Sequence, residues 1–271
     1  MTQSLEAFLS GLPKAAPGSV LLPISHISEA RYLDSILSGK ALVPRTCRFL
    51  QEDLVYCFYG PPAYRLNSFQ SENVMDYPIA FLFKPSAMLQ ADLAIPFDSG
   101  AFLSGKYDSP KPTLKDLRRF QVSLSHPERQ VKSLVALLYQ GNKEYLEGRV
   151  REDLRMEEEP VPELADRLIR DLSPQGVDAR QWAIEIIFRH PVALSKVEWL
   201  AVPNTKTFLL TLNQWFQQAD LDIPFLYHYP VHRRENPAQL SYLLQREAEN
   251  YLEKYLRIEE LNQEAEQSHG V

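Results

Sequence analysis

Cysteine is nearly absent from this 271-residue chain, which has only Cys47 and Cys57, ten positions apart. Two thiols make no disulfide framework. With no histidine near both, they make no zinc site either, and free thiols in a reducing compartment are the expectation. No apolar run approaches the ~20 residues that a membrane-spanning helix needs. The opening MTQSLEAFLSGLPKAA reads as a short amphipathic helix stopped by Gly11 and Pro13. It has neither the basic nor the continuous apolar region of a secretory signal, so a cytoplasmic location is expected. Basic charge is also in the minority, with 29 Lys+Arg against 35 Asp+Glu and a net charge of −6. A protein that grips nucleic acid by counterion release needs a basic surface, so any such contact is expected to be weak and salt-dependent.

Several motifs that carry chemistry are missing too. The glycine-rich phosphate and dinucleotide loops, the paired metal-binding histidines, the C-x-x-C pair and the nucleophilic serine elbow do not occur. His228 and His232 are four apart, but Pro230 between them prevents the helix that would align them. No metal site is expected. ATP-dependent, zinc-dependent and Rossmann-type chemistry therefore have no footing in this sequence.

What is present is ample core material: 45% hydrophobic residues, with 13 Tyr and 13 Phe. SVLLPISHIS (Ser19 to Ser28) reads as a strand ending near His26. Ser28 then fits as the N-cap of a helix in which Ala30, Leu33, Ile36 and Leu37 share a face, with Gly39 as its C′ stop. Leu54 to Gly60 and Tyr77 to Lys84 are further strands, the second apolar enough to be buried on both faces. From Thr113 to Leu172 the pattern is helical, with Thr113 and Ser125 as caps and Pro162 in a first turn. Strands return at Gln181 to Phe188, Val197 to Val202 and Ile223 to Tyr229, with a helix at Thr207 to Gln217.

The last element is a long helix, about Pro237 to Glu266. Its stripe of Leu240, Leu244, Ala248, Tyr251 and Tyr255 is expected to dock on the body or on a second copy. Strands at both ends with helices between them read as α+β. A single domain over 1–271 is expected. Residues 19–107 form the first half of a sheet core, 113–172 a helical insertion, 181–229 the closing strands and 237–266 the terminal helix.

Three places break the apolar pattern. His26 sits at a strand exit, where a half-buried histidine bonded to backbone is the plain alternative to a ligand contact. LVYCFYGPPAYRL gathers Tyr56, Phe58, Tyr59, Tyr64 and Arg65 within ten residues. Alternation sends Tyr56 and Phe58 to one face and Cys57 and Tyr59 to the other, which leaves a packed aromatic strand or a slot for a flat ligand. Glu185 lies amid apolar residues in QWAIEIIF, so it needs either a partner, such as Arg189 or Arg180, or a use.

LLPISHISEARYLDSILSGKAL resembles the opening of ADP-ribosyltransferase-like domains, especially the DarT type, in which a strand ending in His leads into a helix. WAIEIIFRHPVALSKVEWLAV is similar to their closing unit, in which a strand carries the catalytic glutamate. LVYCFYGPPAYRL resembles the intervening strand and turn of the His-Tyr-Glu class. The resemblance covers about a quarter of the chain. It departs from the DarT pattern at Pro61-Pro62, where that family places an arginine, leaving Arg65 nearest.

The resemblance implies an ADP-ribosyltransferase-like split β-sheet core with a helical insertion and a long C-terminal helix. It implies NAD as substrate, and transferase or NAD glycohydrolase activity of the toxin or phage-defence kind. It makes His26, Tyr64 and Glu185 catalytic: His26 bonding a ribose hydroxyl, Tyr64 stacking on nicotinamide with Tyr56 or Tyr59, and Glu185 bonding the ribose 2′-hydroxyl. Arg65 would reach a phosphate. Asp98-Ser99-Gly100 is either a rim loop that brings Ser99 to the cofactor or simply a turn, with the turn preferred. The acceptor is open, protein and nucleic acid included, as is homodimerisation through the C-terminal helix. A non-enzymatic ligand- or partner-binding protein on the same fold is the alternative, and an unrelated assembly component using the long helix is the third.

Overall fold

In a computed structural model of the protein, which describes residues 3–12, 20–63, 71, 73–106, 111–169, 179–231 and 236–269, the chain opens with α1 (Leu5–Gly11), capped by the Ser4 hydroxyl. β1 (Ile24–Glu29) follows, then a single 3₁₀ turn and α2 (Leu33–Ser38). Ser28 is not the helix cap that the sequence pattern favours. It stays in the ladder opposite Ile79, and the helix starts without a side-chain cap. At the other end Gly39 keeps a right-handed backbone, and Lys40 takes the left-handed turn at φ 51°.

The next elements are β2 (Ala41–Leu42), β3 (Arg45–Thr46), β4 (Asp53–Tyr59) and β5 (Pro78–Phe83). After these come α3 (Pro85–Met88), β6 (Leu93–Ile95) and α4 (Ser99–Leu103). The inserted helices are α5 (Leu114–Arg118), α6 (Pro127–Tyr139), α7 (Asn142–Leu146) and α8 (Val161–Ile169), with β7 (Val122–Ser123) among them. Thr113 and Asp116 close a capping box on α5, whereas His126 rather than Ser125 stands at the start of α6. The chain closes with β8 (Glu185–Phe188), β9 (Val192–Ala193), β10 (Val197–Pro203), α9 (Lys206–Ala219), β11 (Phe225–Tyr229) and α10 (Pro237–His269).

Among the described residues the main sheet runs β11-β10-β5-β1-β4-β8-β6-β7, with β3 on β4, and only β10 and β11 pair in parallel. The fold is α+β. β5 lies near the middle and is buried throughout, as its unbroken apolar sequence requires. Its alternate residues serve two cores. Ile79, Phe81 and Phe83 join the larger one with Leu200 and Val202, while Ala80 and Leu82 join Trp199, Ala201 and the α10 stripe.

The ladder between β1 and β4 is short. β1 pairs with β5 along its whole length, from Ile24↔Phe83 to Glu29↔Pro78, but with β4 only at Ile24↔Tyr59 and Ser25↔Phe58. Beyond Ser25 the two strands part, and the sheet is split there. Among the described residues no helix is long and apolar enough to cross a membrane.

α10 docks through the stripe that its sequence marks. Leu240, Leu244 and Ala248 are buried against the sheet, Tyr251 packs on Trp199, and Leu252 extends the contact into the larger core. Leu252→Ala is therefore expected to cost about 3 kcal/mol by urea denaturation, as core truncations do. Ile258→Ala, on the exposed side of the same helix, is expected to change stability by about 0.5 kcal/mol or less. Equal losses at the two positions would contradict the docking.

Candidate active site

Where β1 and β4 separate, a cleft of about 650 Å³ opens. His26 enters it from β1 and Tyr56 and Phe58 from β4, on one face as strand alternation requires. Glu185 lies directly across from Phe58 in the β4–β8 register, so its carboxyl faces the same space. Ser99 comes from the start of α4. Asp98 accepts a hydrogen bond from the Ala101 N–H at 2.8 Å and caps that helix, so Asp98-Ser99-Gly100 is a helix start rather than a plain turn. The turn from Cys47 to Gln51, closed by Gln51 N–H to the Cys47 carbonyl at 2.8 Å, sets Arg48 and Phe49 over the opening.

Each polar group is in a defined state. The His26 Nδ1 is 2.8 Å from the Tyr56 carbonyl. A carbonyl can only accept, so Nδ1 carries the hydrogen and Nε2 remains an acceptor. Burial lowers the His26 pKa from its usual 6.5, the Tyr56 carbonyl opposes that shift, and the charge of Arg45 adds to it. The ring is neutral at neutral pH.

Glu185 is 3% exposed, and burial pushes its carboxyl well above the usual range. The neighbouring Asp98 pushes it further, against hydrogen bonds that Ser99 donates from its hydroxyl and its backbone N–H. Oε2 of Glu185 and the hydroxyl of Tyr56 have no hydrogen-bond partner among the described residues. Burial, then the charge of Glu185, raises the Tyr56 hydroxyl too, with the Cys47 thiol beside it. A buried group left unpaired costs ~1–3 kcal/mol, so a hydrogen-bonding ligand in this cleft would offset that cost at both atoms.

A second hollow of about 400 Å³ adjoins the first and shares His26, Ile27, Cys47 and Tyr56 with it. Ile36, Leu42, Val43, Leu54 and Val55 make it apolar, while Ser35, Thr46 and Arg45 line its polar part. Arg45 stacks on Tyr32 at 4.3 Å and Arg48 on Phe49 at 4.6 Å. Neither guanidinium has a carboxylate partner among the described residues, so both can meet an anion. Among the described residues no group of three His, Cys, Asp or Glu side chains converges to hold a metal.

Of the residues singled out in the sequence, the cleft gathers His26, Tyr56, Ser99 and Glu185. Tyr59 is on the other face. Its hydroxyl donates to Asn142 at 2.9 Å and accepts the Leu22 N–H at 3.0 Å. Tyr64 and Arg65 lie outside the described residues. Glu185 has no ion pair with Arg189, which is turned outward onto Glu52 and Asp92, while Arg180 lines the cleft. Sequence reasoning passed over Arg45, Arg48 and Phe49, and read Cys47 only as a free thiol. The only signal was a short aperiodic run, RTCRF, holding two arginines and an aromatic just before the Tyr56 strand.

No protein-family model matches the chain, and no curated protein does. Among solved structures it is similar to Thermus sp. 2.9 DarT in complex with carba-NAD+, at 13% identity and a TM-score of 0.42, over 76% of this chain and 95% of that one. It is similar to the same protein in complex with ADP-ribosylated ssDNA, at 13% and 0.43, over 80% and 97%. A third structure, in complex with NAD+, gives 10% and 0.42 over 79% and 100%. Similarity of that degree carries no argument about chemistry.

The raised carboxyl of Glu185 has a consequence for stability. A group whose pKa is raised by folding contributes most below its unfolded value, here 4.5, and that contribution is lost as pH rises toward the folded value. Glu185→Gln is therefore expected to raise urea stability relative to wild type at pH 8, and to do so by less at pH 4. A gain that is equal at both pH values, or larger at pH 4, would contradict the assignment.

Proposed function

We propose that the cleft binds NAD and that the protein cleaves its nicotinamide–ribose bond, passing ADP-ribose to an acceptor or to water. One observation carries this reading: a nearly buried carboxylate, with one oxygen unpartnered, faces the same cleft as a neutral histidine and an orphaned tyrosine hydroxyl. Around them, Tyr56, Phe58 and Phe49 offer aromatic surfaces, Asp98 and Glu185 offer carboxyl groups, and Arg45 and Arg48 stand at the mouth. A ligand matched to all of these has a flat cationic ring, sugar hydroxyls and phosphates. Two hollows with a common wall fit a molecule made of two nucleotide halves.

The roles follow from the bond that breaks. Loss of nicotinamide from C1′ of the ribose leaves an oxocarbenium-like centre, whose charge a fixed carboxylate stabilises in a site shielded from water. Glu185 fills that role and bonds the 2′-hydroxyl through Oε2. Arrival of the positively charged nicotinamide ring favours the ionised carboxylate, opposing the effect of burial. The free Nε2 of His26 accepts from a ribose hydroxyl. Tyr56 stacks on or hydrogen-bonds to the nicotinamide half, and Ser99 holds the Glu185 carboxylate in place. Tyr64 as a second stacking ring and Arg65 as a phosphate contact belong to the proposal on the strength of the sequence alone. A toxin or phage-defence setting, with a protein or nucleic-acid acceptor, is part of the same reading.

Incubation with NAD and chromatographic assay of free nicotinamide tests it. Glu185→Gln is expected to lower turnover roughly 100- to 1000-fold, with the Kd for NAD changed less than about threefold, since the amide keeps the shape but not the charge. NAD binding without nicotinamide release in the wild type would make the cleft a binding site only. Absence of both would end the NAD reading.

A further inference from the structure

The segment leading into Glu185 is held by the inserted helices as well as by β4, where the Tyr59 N–H donates to the Ile184 carbonyl at 2.8 Å. The Gln181 side-chain amide donates to the Arg167 carbonyl of α8 at 2.7 Å. The Trp182 carbonyl accepts from the Tyr139 hydroxyl of α6 at 2.8 Å. The Ile184 N–H donates to the Tyr145 hydroxyl of α7 at 3.2 Å, and that hydroxyl donates to the Tyr59 carbonyl at 2.6 Å. Tyr145 thus supplies a side-chain rung between β4 and β8, one residue before Glu185 and one residue after its partner Phe58.

The rings that carry these hydroxyls are packed together, Tyr139 on Tyr145 at 5.0 Å and Tyr145 on Tyr59 at 5.4 Å. Gly148, at φ +66°, lets the Trp182 ring come so close that a Cβ there would lie 2.9 Å from it. None of Tyr139, Tyr145 or Gly148 lines the cleft.

We propose that the inserted helices form the positioning scaffold of the Glu185 strand, and that Tyr145 is the positioning residue through which they act. Its effect on turnover rests on the NAD reading; its effect on the strand does not. Removing the hydroxyl leaves the Ile184 N–H and the Tyr59 carbonyl buried and unpaired at the one place where the carboxylate must be held to a fraction of an ångström.

The test compares Tyr145→Phe with wild type in three measurements: amide hydrogen exchange, titration of Glu185 followed by its carboxyl infrared band (with Glu185→Gln to assign it), and nicotinamide release. Exchange at Ile184 to Ile187 is expected to quicken about tenfold or more while β5 is unchanged. The Glu185 titration is expected to shift, and kcat to fall roughly 10- to 100-fold with KM within about threefold. Should Tyr145→Phe not fold, Tyr139→Phe, which frees only the Trp182 carbonyl, is read in the same way with smaller changes. Unchanged exchange, or faster exchange with an unmoved titration and kcat, would overturn the proposal. If the wild type releases no nicotinamide, the NAD reading falls, and exchange together with the titration still decides the scaffold: both moved supports it, either unmoved overturns it.

Discussion

The carboxyl of Glu185 lies across the sheet from Phe58, with Asp98 as a second buried acid nearby and Ser99 as its hydrogen-bond donor. A carboxylate so placed costs several kcal/mol unless it is neutralised or bonded, and here it is bonded on one side only. Much of the surrounding architecture bears on that group. Asp98 caps α4 and so orients the Ser99 N–H, while the Asp98 N–H is itself tied to the Arg180 carbonyl at 2.9 Å. Phe97, Phe102 and Phe120 pack at centroid distances of 4.8 to 6.3 Å, and the Arg167 guanidinium lies over two of them, seating α4 on the inserted helices.

A closed ladder would leave no room for a ligand beside that carboxyl. The separation of β1 from β4 makes the room, and it requires backbone groups that would otherwise pair to find other partners. The Tyr56 carbonyl finds one in the His26 ring, which enters where a strand-to-strand bond would have been. The same bond sets the tautomer of His26 and leaves its other nitrogen to the cleft. A single contact thus closes a gap in the sheet's hydrogen bonding and prepares a functional group.

Tyr59 illustrates how alternation sorts aromatic residues that the sequence presents as a cluster. Tyr56 and Phe58 face the cleft, while Tyr59 is buried on the opposite side with its hydroxyl bonded to Leu22 and Asn142. Nothing in LVYCFYG separates a stacking ring from a structural one until the neighbours on each face are known.

Much of the fold was legible in the chain itself. The apolar Tyr77 to Lys84 run could only be an interior strand, Thr113 a cap, and the Leu240, Leu244, Ala248 stripe a docked face, because periodicity and capping are local properties. His26 and Glu185 stood out for the same local reason, a polar group where the pattern asked for an apolar one. What the sequence could not place was anything set by long-range neighbours: the Ser28 cap lost to a ladder with Ile79, the α4 start at Asp98, and the arginines of the 45–48 loop. Glu185 had plausible ion-pair partners in sequence, yet Arg189 turns outward to Glu52 and Asp92. Sequence determined which groups were costly to bury. Only the tertiary structure decided which of them would share a cleft, because hydrogen-bond partners and charge neighbours come from strands and helices far apart in the chain.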